Sequence, residues 1–315
     1  MDDFSGTLAV VTGAGSGIGR KLVRQLAVAG ASVAACDINP ETVAETARIA
    51  REGAPAGTLV TAHHCDVADE AQVLAFRDAV LADHAIDHIG LLVNNAGMGA
   101  AGSMIHSSRR EWDRTFAICW GGVYHCTRAF LPLLVAADDA AIVNVSSING
   151  VWASLGPEMP HTAYSTAKFA VKGFTEALLV DLRVNAPHVK VFLVMPGHVG
   201  TDILRNSRAI LGVPDTPSDL EMVEGRKIMA RMGVPVDTMD DDAVRAVLMG
   251  MSDGFRDDAP VSAAQAATTI LGAVLAGQWR ILIGEDARRI DEIARRDPDN
   301  LYVLDPSAFL TPRIK

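Results

Sequence analysis

A tyrosine and a lysine stand four residues apart in "AYSTAKFAVKG", as Tyr164 and Lys168. On a helix this spacing puts both side chains on one face. A free phenol ionises near pH ~10 and is a poor base at neutral pH, but a neighbouring ammonium favours the phenolate. So paired, Tyr164 could take the proton of an alcohol while hydride leaves its carbon, and give the proton back in the reverse reaction. Ser147 ends the apolar run "AIVNVSS" upstream and could hydrogen-bond the substrate oxygen, stabilising charge that develops there. A Y-x-x-x-K pair alone reads as a surface face or a core tyrosine. Its neighbours decide.

A strand candidate runs into "TGAGSGIGR", Thr12 to Arg20. Glycines at such a turn let the backbone approach a pyrophosphate at a helix N-terminus. A G-x-G-x-x-G reading from Gly13 fails at Ile18; G-x-x-x-G-x-G fits, on Gly13, Gly17 and Gly19, with Ser16 and Ile18 in the same turn. Glycines at 13, 15 and 17 also read as the GxGxG of a methyltransferase. Asp37 closes the second apolar run. A carboxylate there accepts ribose hydroxyls and repels a 2′-phosphate, and no Lys or Arg stands at 14–16 or 38–39. This favours NAD over NADP. Followed by Asn39 and Pro40, Asp37 also reads as a helix start.

The elements that would position these residues alternate. Apolar runs at 7–12, 32–37, 59–66, 90–96, 141–147, 189–195 and 279–284 are mostly continuous rather than alternating, as strands buried on both faces are. Helical patterns lie between them, at 17–29, 40–52, 69–83, 109–134 and 162–184. This predicts a doubly wound (Rossmann) α/β fold, a parallel sheet of about seven strands flanked by helices. Between 201 and 261 there is no strand pattern, but six of the eleven methionines fall there: Met222, Met229, Met232, Met239, Met249 and Met251. A helix at 262–276, the last strand and a charged tail, 285–315, follow. We expect one domain over 1–315 with a helical insertion at 201–261.

The chain has 315 residues, 49% hydrophobic, enough for a sizeable core, and a net charge of -10, which argues against nucleic acid or anionic membrane as partners. The cysteines, Cys36, Cys65, Cys119 and Cys126, form no CxxC pair or zinc-finger spacing. No metal site is expected. Cys36 and Cys65 fall inside apolar runs and read as small hydrophobes, and a reducing, cytoplasmic compartment is expected. The N-terminus lacks a signal-peptide pattern, and no apolar run is long enough to span a bilayer.

Five motifs in order, the glycine loop, "NNAG" (94–97), "NVSS" (144–147), "YSTAK" (164–168) and "PGHVGT" (196–201), resemble the short-chain dehydrogenase/reductase family of the classical type, over roughly residues 5–201. The methyltransferase reading accounts for neither NNAG nor YxxxK. The resemblance implies an NAD-dependent enzyme interconverting a secondary alcohol and a ketone. Ser147 would be the catalytic serine, Tyr164 the acid/base, and Lys168 its partner and a ribose ligand. Asp66 and Val67 would flank the adenine. Asn94, Ala96 and Gly97 would shape the cofactor cleft. Pro196, Gly197, Val199 and Thr201 would belong to the loop that holds the nicotinamide. The helices at 109–134 and 162–184 would build a homodimer or homotetramer.

The chain departs from the family in two places. In "WDRTFAICWGGVY" the position of the family's helix asparagine, whose carbonyl holds a relay water, is Cys119; a core-filling role is the alternative. The serine-to-tyrosine gap is also long, the surplus falling in "WASLGPEMPHTAY". Trp152, Leu155, Met159 and His161 are candidates to line a substrate pocket. The family places its substrate lid at 201–261, and methionine-rich segments adapt to bulky apolar ligands, so a hydrophobic substrate is expected, unless the methionines only fill core. The competing readings are an epimerase or dehydratase of the same family and a catalytically silent nucleotide-binding scaffold.

Overall fold

All seven apolar runs become strands of one parallel sheet. The computed structural model describes residues 3–99, 102–155, 159–214, 216–231 and 234–302. The strands are β1 (Leu8–Thr12), β2 (Ser32–Asp37), β3 (Val60–His64), β4 (Leu91–Asn94), β5 (Ala140–Val145), β6 (Val189–Pro196), a short β7 (Val199–Gly200) paired with β8 (Val261–Ser262), and β9 (Arg280–Ile283). The main sheet has the order β3-β2-β1-β4-β5-β6-β9, parallel throughout. Every residue of β1, β4 and β5 is buried, which is why these runs are continuously apolar. Edge strand β3 buries only Val60.

The helices are α1 (Gly17–Val28), α2 (Pro40–Glu52), α3 (Glu70–His84), α4 (Arg109–Phe116), α5 (Gly122–Val135), α6 (Thr162–Asn185), α7 (Ile203–Leu211), α8 (Asp219–Arg231), α9 (Asp241–Asp257), α10 (Ala263–Leu275) and α11 (Glu285–Arg296). Two apolar layers cover the sheet. Val11, Val33 and Val143 pack with Leu22 and Leu26 of α1 and Ile270 of α10. Val10, Leu92 and Ile142 pack with Phe76 of α3, Phe130 of α5 and Leu178 of α6. Leu22, Leu26 and Phe130 are fully buried, each contributing roughly 1.5–3 kcal/mol by leaving water. No described helix is long and apolar enough to cross a membrane.

The strand order reverses between β1 and β4. Helices leave to opposite faces there, opening a crevice at the carboxyl ends of the strands. Thr12, Asp37, Asn94, Val145 and Pro196 end their strands on that edge.

Two regions depart from expectation. The helix expected over 109–134 is broken by a π-helical turn at Ala117–Gly121. A Cβ on Gly122 would stand 2.6 Å from Val67 Cγ2, so only glycine lets this helix approach the loop after β3. The insertion has its own small core: Met222, Met229, Val236 and Val244 are buried together, with Met239 packed against them. Met249 and Met251 are exposed, and Met232 lies outside the described residues. In the tail, α11 packs Ala287, Ile290 and Ile293 on Ile148 and Trp152; residues 303–315 lie outside the description.

Candidate active site

The glycine turn is built by close approach. Gly13 has φ +63°, and a Cβ there would lie 2.6 Å from Ala96 Cα. A Cβ on Gly19 would lie 2.1 Å from the Gly13 carbonyl; this glycine seats α1 beneath the turn and faces away from the cleft. Ser16 is the N-cap of α1, yet its hydroxyl makes no capping bond. It accepts instead from Asn206 Nδ2 at 3.0 Å. Asp37 clasps the turn from the side, Oδ2 accepting from Gly15 N–H at 2.8 Å and Oδ1 from Asn39 N–H at 3.0 Å. The helix cap proper is Asn39, which accepts from Glu41 and Thr42 N–H. Arg20 reaches back to the Gly15 carbonyl and to Thr46 Oγ1 at 2.9 Å, so a cation stands beside this turn after all, although none was legible at the flanking positions.

The candidate catalytic groups converge on the same cleft, which Ser147, Tyr164 and Lys168 line with Gly13, Ser16, Gly17, Ile18 and Asp37. Ser147 is positioned by Asn149, whose N–H donates to its Oγ at 3.0 Å. Asn149 is in turn fixed by Nδ2 bonds to the carbonyls of Trp152 (2.9 Å) and Ser154 (2.6 Å). Lys168 Nζ donates to the Val145 carbonyl at 2.9 Å and stands 5.4 Å from the centre of the Tyr164 ring. The His161 ring stacks on that phenol, centroids 4.6 Å apart.

The electrostatics differ from the expectation that Lys168 makes Tyr164 acidic. Burial pushes the Tyr164 phenol well above its usual value, proximity to Cys119 adds to this, and only the hydrogen bond with Ser147 opposes it. Burial lowers Lys168, with Cys119 opposing. Burial also pushes His161 down to about 4. At neutral pH the protein's own groups therefore hold a protonated phenol beneath a neutral imidazole.

Cys119 sits fully buried in the π-helical turn. Its Sγ accepts from Met98 N–H at 3.5 Å and its thiol donates to the Met98 carbonyl at 3.3 Å. It thus ties the helix to the loop after β4 and is more than filler. Asn94 lies behind the wall, its Nδ2 donating to Asn144 Oδ1 (2.8 Å) and Thr127 Oγ1 (3.0 Å); the cleft is lined by Asn95 instead. Asn95 Nδ2 braces the Thr12 and Gly13 carbonyls at 2.9 and 3.1 Å.

Asp66, Val67, Ala96, Gly97, Pro196, Gly197, Val199 and Thr201 all line the cleft. Asp66 is paired with Arg114 at 2.7 Å. The Pro196–Thr201 loop is held from outside by Asp286 of α11, which accepts from His198 N–H at 2.6 Å; a Cβ on Gly197 would fall 2.2 Å from this carboxylate. The insertion meets the cleft through α7 and α9, with Ile203, Asn206, Ile210 and Phe255, and none of its methionines among the described residues is in the lining. Trp152, Leu155, Met159 and His161 are not in the lining either: Trp152 packs on α11 and Leu155 is exposed. Asn149, Asn206 and Asp286 were missed in the sequence. Single polar residues outside any motif carry no signal of where a fold will bring them.

The model of the short chain dehydrogenase family matches residues 7–211. SadH of Mycobacterium tuberculosis (strain H37Rv), assigned as an oxidoreductase, is 34% identical over 94% of this chain and 92% of its own. A cyclopentanol dehydrogenase of Comamonas testosteroni is 33% identical over 80% of this chain and 92% of its own. Among solved structures, a short-chain dehydrogenase/reductase from Burkholderia phymatum in complex with NAD superposes with TM-score 0.73 at 28% identity, covering 94% of this chain and 96% of that one. A metagenomic short-chain oxidoreductase in complex with NADP has TM-score 0.54 at 34% identity, over 61% of this chain and 83% of that one.

Proposed function

The chain belongs to the short-chain dehydrogenase family of oxidoreductases, and from that premise we propose that it interconverts a secondary alcohol and a ketone with NAD. The observation that carries the reading is the convergence of Ser147, Tyr164 and Lys168 on the cleft that the glycine turn opens. A dinucleotide fits these residues. The turn has no room for side chains at Gly13 and Gly19, the Ser16 hydroxyl leaves the first turn of α1 uncapped, and a carboxylate ends β2. Gly13, Gly17 and Ser16 would hold the diphosphate. Asp37 would take the adenosine ribose, and its charge favours NAD over NADP. Lys168 and the Pro196–Thr201 loop would hold the nicotinamide half. Held there, the cofactor would supply or accept the hydride.

The protein's part is proton and charge management. Tyr164, kept protonated by burial, donates its proton to the ketone oxygen in reduction. In oxidation it would first release its own proton to solvent, as a cationic ring in the cleft favours the phenolate, and the phenolate would then take the alcohol proton. Ser147, held by Asn149, donates to the substrate oxygen and stabilises its charge. Ile118, Ile203, Ile210 and Phe255 supply apolar walls, supporting a hydrophobic substrate. The cyclopentanol dehydrogenase relative, named for a cyclic secondary alcohol, supports the same reading. The insertion acts as the substrate lid of a single domain. Exposed Tyr124, Phe169, Val180 and Val184 on α5 and α6 support a homo-oligomer through those helices.

The test is reduced-cofactor fluorescence with NAD or NADP and a panel of secondary alcohols, small and polar through cyclic and bulky, for wild type and Tyr164→Phe. Turnover with NAD on the apolar alcohols, lost in the variant, supports the reading. Turnover that survives the substitution removes Tyr164 from its role.

A further inference from the structure

The hydroxyl of Ser16 and the amide of Asn206 are 190 positions apart in sequence and bonded across the cleft. Ser16 belongs to the glycine turn at the start of α1; Asn206 belongs to α7, the first helix of the insertion. An N-cap serine ordinarily accepts from the second or third N–H of its own helix. Ser16 does not, and no acidic side chain stands in that first turn. The helix N-terminus therefore keeps its partial positive charge and its unpaired N–H groups turned to the cleft.

The amide is held there by the way α7 is seated. Ser207, next in the chain, accepts from Gly99 N–H at 2.8 Å and donates to the Ile203 carbonyl at 2.6 Å, fixing α7 to the segment after β4. Thr201, just before α7, lies against the glycine turn: a Cβ on Gly17 would come 3.1 Å from Thr201 Cγ2. Arg205 and Arg256 tie the same region down through Asp253 and Asp202, at 2.9 Å each. An amide with two N–H donors thus stands at the mouth of an anion site, spending a bond on a neutral hydroxyl.

We propose that Asn206 is a lid-borne ligand of the cofactor's diphosphate. The amide donates to a phosphate oxygen alongside or in place of Ser16, so that the lid is held down by the cofactor itself. A hydrogen bond to a charged acceptor is stronger than one to a neutral hydroxyl, so the bound diphosphate favours the seated lid, and the seated lid favours the diphosphate, by the same factor. This rests on the reading of the cleft as a dinucleotide site. It adds that cofactor binding and lid position are one equilibrium, and that the lid is seated before substrate enters.

The experiment is calorimetric titration of wild type, Asn206→Ala and Asn206→Asp with ADP-ribose, which carries the diphosphate without the reacting ring. Adenosine, measured by competition, is the control that lacks phosphate, and melting curves check that each variant is folded; alanine suits a helix. The expected result is roughly tenfold weaker ADP-ribose binding in Asn206→Ala, weaker still in Asn206→Asp through charge repulsion, and unchanged adenosine binding. Equal ADP-ribose affinity in wild type and both variants overturns the proposal while leaving the cofactor site standing. An equal loss of adenosine binding overturns it too, because the amide would then act through general looseness of the cleft. Wild type that binds no ADP-ribose overturns the dinucleotide site and this inference together.

Discussion

Lys168 carries its ammonium 5.4 Å from the centre of the Tyr164 ring and directs a hydrogen bond to the Val145 carbonyl at 2.9 Å. The two are neighbours on one helix face, as their spacing requires, but the side chain that favours ionisation of the phenol is Ser147. The lysine acts on the cleft as a donor rather than by making the phenol acidic. Its substitution by methionine is therefore expected to weaken cofactor binding and to depress the rate, whereas Tyr164→Phe is expected to spare binding and lower kcat by about 10²–10⁴-fold. Separate titrations and turnover assays distinguish the two patterns.

His161 contributes a pH dependence of stability. Its folded pKa, about 4, lies below the value of roughly 6.5 for a free imidazole. Between these values the unfolded chain binds more protons, so stability rises with pH. The contribution is present in full above pH ~6.5 and is lost as pH falls toward 4, up to roughly 3 kcal/mol at 1.36 kcal/mol per unit. His161→Phe, which keeps a ring on Tyr164, is expected to flatten the melting temperature across that window. An unchanged slope in the variant would assign the dependence to other groups.

Asp37 is expected to govern the choice between NAD and NADP. Asp37→Ala removes the carboxylate that repels a 2′-phosphate and leaves Arg20 beside the Gly15 carbonyl. The ratio of kcat/KM for NAD over NADP is expected to fall by tenfold or more, as NAD binding weakens and NADP binding gains. Because Asp37 also accepts from Gly15 and Asn39 N–H, some loss of stability should accompany the switch. A ratio that does not move would place the discrimination elsewhere.

Asp291 anchors the tail. It is buried and paired with Arg280 at 2.8 Å and Arg295 at 3.0 Å. Burial alone would raise its carboxyl, but the bonds and charges of Arg280 and Arg295 outweigh it and hold the pKa below 3.8. That stability is present above the unfolded value and lost as pH falls through the lower folded one. Asp291→Ala leaves the largely enclosed Arg280 without its partner and is expected to cost about 3–5 kcal/mol by denaturant unfolding. A cost below 1 kcal/mol would mean that solvent reaches the pair.

Cys119 links the π-helical turn to the loop after β4 through Met98. Cys119→Asn restores the residue type usual for the family and offers an amide donor and acceptor to the same backbone groups. It is expected to keep the fold and at least the parent rate, whereas Cys119→Ala removes both bonds and should lower stability by about 1–2 kcal/mol. A fall in activity with asparagine and none with alanine would mean that the volume of the site matters more than the tie.

The sequence by itself determined the sheet, the order of its helices and the ends of the strands that carry the site. Those features are written in local periodicity: continuous apolar runs for strands buried on both faces, and glycines where a side chain would strike backbone. It also named Ser147, Tyr164 and Lys168, because motif spacing survives any loop length between them. Tertiary structure alone decided what each polar group touches. Asn94 turned inward to Asn144 while Asn95 braced the turn. Met222, Met229 and Met239 of the insertion closed on one another, and the cleft wall came from Ile203, Ile210 and Phe255. The tyrosine's acidity was set by burial more than by its neighbour on the helix. Those outcomes depend on which faces of distant segments meet and how much water they exclude. The bond between Ser16 and Asn206 has the same origin: it exists only because α7 folds back over the start of α1.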